Sequence, residues 1–118
     1  VAMQRARLCE LIVEALGRRR EGGALFMVGL FSLLDALMRT PMEEILRRID
    51  LAPELRDVLL HRTGPHAPIL RLAESYEAAD WDGVVTHSKS AGLALERMPE
   101  LYAEAMEWTR ERSDAPNR

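Results

Sequence analysis

Residues 24–38 read ALFMVGLFSLLDALM, apolar apart from Ser32 and Asp35, and no other stretch constrains the fold as strongly. A membrane-spanning helix needs ~20 apolar residues and tolerates an inner charge poorly. This run has 15 residues and carries Asp35, so it is expected to form one helix, ending near Arg39, that is buried on most sides in a soluble domain. A chain of 118 residues, 47% of them hydrophobic, can supply such a domain with its own core.

The segments around the run keep a helical period. Leu8, Leu11, Ile12, Ala15 and Leu16 share one face of a first helix, opposite Arg7, Glu10, Glu14 and Arg18. Glu14 and Arg18 stand four apart, the spacing of an intrahelical ion pair. This helix has no capping residue before it, so the chain reads as part of a longer protein. Gly22 and Gly23 are expected to stop it. Thr40, Pro41 and Glu43 have the pattern of an N-cap, a first helical residue and a closing capping-box glutamate. Met42, Ile45, Leu46 and Ile49 follow as an apolar stripe, with Glu43–Arg47 and Glu44–Arg48 as exposed pairs. Pro53, Pro68, Asp80 and Pro99 open further helices. No alternating strand pattern occurs. The expected architecture is all-α, a compact bundle of six to seven helices around the central apolar one, covering residues 1–112, with residues 113–118 as a disordered tail.

Few chemistries are open to such a chain. Gly-rich phosphate loops and His-Glu-x-x-His are absent, and one cysteine precludes a thiolate zinc site. Cys9 sits within the first helix and reads as a structural thiol in a reducing compartment. His61 and His66 flank a Gly-Pro turn and read as surface or turn residues, while His87 lies mid-helix, partly buried. Asp35 is the possible polar core site, with Arg39 four residues on as its expected partner. Net charge is −3, too acidic for a broad nucleic-acid footprint, and 15 of the 16 basic residues are Arg, a bias typical of GC-rich bacterial genomes. Residues 1–20 carry +3 and residues 72–107 carry −6, a dipole able to steer a partner or a second copy.

Three stretches, residues 5–11 (RARLCEL), 25–37 (LFMVGLFSLLDAL) and 41–46 (PMEEIL), carry a resemblance to a known family, supported by Asp80-Trp81 and by Leu101-Tyr102 through Glu107-Trp108. From about Arg5 to Thr109 the chain resembles the C-terminal half of the HDOD (HD-related output) domain of bacterial signalling proteins, in the form fused behind an EAL cyclic di-GMP phosphodiesterase domain. In HD-type enzymes the matching helix carries Gly-Leu-Leu-His-Asp-Ile-Gly, whose His and Asp bind the metal for phosphate-ester hydrolysis. Aligned from Gly29, the doublet position here is Ser32-Leu33. Leucine has no donor atom, and a serine hydroxyl is a poor substitute for imidazole. Asp35 lies two residues on, roughly 200° round a continuous helix from Leu33. The resemblance therefore implies a non-catalytic cytoplasmic output domain without metal or cofactor. Such a domain would act by contact with a protein partner or an upstream domain, or as a homodimer, and would engage neither nucleic acid nor membrane. The alternative is a divergent HD-type metal-dependent phosphohydrolase, which needs Asp35, Asp57, His61, His66 and His87 to converge.

Overall fold

A computed structural model describes residues 2–113, and in them the chain is helical without a strand. The helices are α1 (Ala2–Ala15), α2 (Gly22–Phe31), α3 (Leu34–Met38), α4 (Met42–Arg47), α5 (Pro53–His61), α6 (Ala67–Glu77), α7 (Trp81–Ala91) and α8 (Met98–Ser113). Counting the interrupted run of α2 and α3 as one helix, the bundle has the seven expected. The tail read at residues 113–118 lies outside the described residues, except for Ser113, which closes α8.

The hub of the bundle is α1, which packs against α2, α6 and α8. Ala6, Cys9 and Val13 are buried on it along with Leu8, Leu11 and Ile12, so its apolar stripe is wider than its periodicity suggests. The crossing of α1 and α2 is a backbone-to-backbone approach. A Cβ built on Gly29 would stand 2.8 Å from the Ala6 Cα and 2.9 Å from the Arg5 carbonyl oxygen, so only glycine admits this distance.

The apolar run departs from expectation in two respects. It is not a single cylinder: α2 ends at Phe31, Leu33 takes φ −107° and ψ 0°, and α3 starts afresh. The Ser32 hydroxyl donates to the Gly29 carbonyl oxygen at 2.7 Å, and such back-bonding bends helices. Nor is the run buried on most sides. Leu25 and Val28 reach the core, but Leu30 is half-buried and Leu37 is 69% exposed. By length and composition alone, Arg19–Met38, with a mean hydropathy of 1.5, would suffice to cross a membrane. Here the break at residues 32–33 divides that stretch, and α2 lies on α1.

Helix ends show which local signals were strong. Pro53, Pro68 and Pro99 lie in the first turns of α5, α6 and α8. Asp80 caps α7 by accepting from the Gly83 amide at 3.1 Å. The first helix, however, ends before Gly17, which takes φ +80°, while Gly22 and Gly23 open α2 instead of stopping α1. Arg18 accordingly pairs with Glu21 at 2.7 Å and not with Glu14. Glu43–Arg47 and Glu44–Arg48 do pair, at 3.4 and 4.0 Å. The capping box at α4 does not form. Pro41 takes the N-cap position, and the Thr40 hydroxyl turns back to donate to the Met38 carbonyl oxygen. Because that bond is exposed, Thr40→Ala is expected to cost under about 0.5 kcal/mol in urea denaturation, where loss of an N-cap typically costs ~1 kcal/mol.

Candidate functional site

The richest polar chemistry gathers where α1, the end of α2, α5 and α6 meet. Arg5 falls on α1 in register with Leu8, Cys9 and Ile12, positions 5, 8, 9 and 12 of one face, so the packing of that face carries its guanidinium inward. Glu74 and Glu77 stand one turn apart on α6 and point toward it. Arg5 Nη2 donates to Glu77 Oε1 at 2.7 Å, Nε reaches both carboxylate oxygens of Glu77 at 3.1 Å, and Nη1 lies 3.6 Å from Glu74 Oε2. Arg5 Nη1 also donates to the Ser32 hydroxyl at 3.0 Å. Glu74 is held in turn by Arg62, at 2.7 and 3.1 Å. Arg62 Nη1 donates to the Val58 and Leu59 carbonyl oxygens, closing the C-terminal end of α5.

Two guanidinium groups and two carboxylates thus form one balanced cluster. Burial works against the Arg5 charge, but the hydrogen bond and the charge of Glu77, followed by that of Glu74, more than offset it and raise the Arg5 pKa above its ordinary value. Neighbouring Cys9 is fully buried, and burial pushes its thiol well above the usual range. It is a neutral space-filler, unreactive at physiological pH. Away from the cluster, past the C-terminal end of α1, the Arg18 hydrogen bond holds the Glu21 carboxyl below its usual range.

This cluster occupies the degenerate doublet position. Ser32 is 5% exposed and committed at both ends, donating to Gly29 and accepting from Arg5. Leu33 lies in the break and lines an apolar surface hollow with Ala2, Met3, Ala36 and Leu37. Asp35 has no part in the cluster. The break resets the helix, so Asp35 falls in the first turn of α3, half-buried, where its carboxylate accepts from the Ala36 amide at 2.8 Å. The expected Asp35–Arg39 pair does not form, because Arg39 is the left-handed residue (φ +52°) ending α3.

The other sequence candidates are dispersed. Asp57 and His61 are exposed on α5, and His87 is half-buried on α7. His66 is buried, contrary to the surface reading, with Nδ1 unpaired and 3.7 Å from Glu21 Oε1. Among the described residues, no three His, Cys, Asp or Glu side chains are placed to hold a metal ion. Sequence reasoning missed Arg5, Arg62, Glu74 and Glu77. Two signals were present: Arg5 heads the face of Leu8 and Ile12, and Glu77 follows Ala73 by four on the buried face of α6.

The fold and site define an all-α domain in which α1, α5 and α6 are joined by part-buried ion pairs between two arginines and two carboxylates. The chain is 33% identical over 111 residues to CdgJ, a cyclic di-GMP phosphodiesterase of Vibrio cholerae. It is 32% identical over 116 residues to YuxH, an uncharacterized protein of Bacillus subtilis. These alignments cover 94% and 98% of the chain but 26% of CdgJ and 27% of YuxH, so the chain spans about a quarter of the length of either relative. No family profile matches the chain, and no solved structure matches it either.

Proposed function

We propose that the chain is a non-catalytic output domain of the HDOD type, working in the bacterial cytoplasm within a cyclic di-GMP turnover protein and acting by protein contact. The similarity to a segment of CdgJ supports the link to cyclic di-GMP. The observation that carries the non-catalytic reading is the Arg5 guanidinium, 3.0 Å from the Ser32 hydroxyl at the doublet position. A divalent cation there would face a fixed positive charge at close range and would have to win Glu74 and Glu77 from their arginines.

Metal analysis after incubation of the purified chain with manganese, together with hydrolysis assays on cyclic di-GMP and a generic phosphodiester, tests this reading. The expected result is substoichiometric metal and no turnover. Stoichiometric metal with turnover would establish the divergent phosphohydrolase instead. Deleting the segment from its gene tests the signalling link. Cellular cyclic di-GMP should change, and an unaltered level would refute the connection.

A further inference from the structure

We propose that the groove between α6, α7 and the start of α8 is a docking site for a basic, amphipathic segment of a protein partner; this deepens the protein-contact reading above and rests on it. The groove has a volume of about 230 Å3 and is lined by Tyr76, Trp81, Val84, Val85, Leu95 and Pro99. Three of these expose large apolar area: Trp81 at 58%, Val85 at 52% and Leu95 at 41%. The aromatic floor is held in place. Trp81 meets Tyr76 edge-on with ring centroids 5.6 Å apart, and Tyr76 in turn contacts Tyr102 at 4.9 Å. A preorganised aromatic platform is the kind of surface that anchors a partner at little entropic cost.

Charge on the chain neighbours of the lining residues selects the occupant. Asp80 and Asp82 flank Trp81 in the chain, and Glu96 follows Leu95; all three are exposed and make no ion pair among the described residues. Of the two bases in residues 72–107, Arg97 is already paired with Glu100, and Lys89 sits near the far end of α7. An apolar trough whose lining residues Trp81 and Leu95 have exposed carboxylates as chain neighbours fits a helix that places leucine-like side chains on one face and lysine or arginine on its flanks. A second copy bound across a two-fold axis would set the same carboxylates against one another, which disfavours self-pairing here.

The test uses a fluorescently labelled helical leucine–lysine peptide and the purified chain, read by anisotropy at low and high salt. Saturable binding that weakens with salt is expected. The leucine–glutamate counterpart, and a serine–lysine peptide that keeps the charge without the apolar face, should not bind. Trp81→Ala, Val85→Asp and Asp82→Lys change exposed residues, so unchanged circular dichroism is expected; each should weaken binding about tenfold or more. Leu37→Asp, on the unrelated α3 surface, should leave affinity as it was. Equal binding of the acidic or serine peptide would overturn the proposal. So would insensitivity to Val85→Asp and Asp82→Lys, or an equal loss with Leu37→Asp. Sedimentation showing self-association abolished by Val85→Asp would overturn it in favour of a second copy. Failure here leaves the non-catalytic reading standing, since that depends on metal content and turnover, and turnover would not remove peptide binding.

Discussion

Gly29→Val is expected to lower the melting temperature by about 10–15 °C, equivalent to about 3 kcal/mol for a domain of this size. The atoms a valine side chain would meet are the Ala6 Cα and the Arg5 carbonyl oxygen, at 2.8 and 2.9 Å from its first carbon alone. Backbone cannot rotate aside as a flexible side chain can, so α1 and α2 must separate. That movement also draws Ser32 from Arg5, coupling the clash to the polar cluster. Gly23→Ala is the matched control. A Cβ there meets nothing within 4 Å, and alanine favours the helix by roughly 0.5–1 kcal/mol. Thermal unfolding by circular dichroism separates the pair, and equal melting temperatures would disprove the close crossing.

Glu77→Ala should cost about 3 kcal/mol in urea denaturation, because it removes the nearest counter-charge of the Arg5 guanidinium, whose side chain is 11% exposed, and leaves it only the Ser32 hydroxyl and the more distant Glu74 carboxylate. The expected loss sits at the low end for a buried pair, since Glu77 itself is 16% exposed. Adding Arg5→Met to Glu77→Leu should restore much of that stability, because two apolar groups of similar volume remove the uncompensated charge. A double variant no more stable than Glu77→Ala alone would show that the pair is stabilising in itself and not merely a neutralised charge. Stoichiometric manganese uptake by the chain carrying Arg5→Met alone would further identify Arg5 as the group that keeps cations from Glu74 and Glu77.

The candidate site was legible only in part. The doublet position, Ser32-Leu33, follows from aligning Gly29 with the HD-type motif, and the structure places a polar centre beside it. Its ion pairs are not legible locally because Arg5 and Glu77 are 72 residues apart in sequence. Asp35 drew attention because a lone carboxylate in an apolar cylinder demands a partner. Once the cylinder is broken at Ser32 that demand disappears, since the carboxylate stands half-buried in the first turn of a short helix and accepts from the adjacent Ala36 amide. His66 differs for the converse reason: Thr63, Gly64 and Pro65 form the exposed turn that the sequence suggests, yet His66 at the start of α6 is itself buried beside Glu21.

The helical class and the proline- and aspartate-marked starts of α5 to α8 were determined by the sequence itself. They depend on neighbours within a turn or two: fixed φ at proline, a carboxylate reaching an amide three residues on, and apolar residues recurring every three or four. Only the tertiary structure decided that α1 is the hub, that the longest apolar run bends and lies largely at the surface, and that Arg5 is drawn inside. Burial and ion pairing depend on which distant segments come together, and local periodicity carries no information about that.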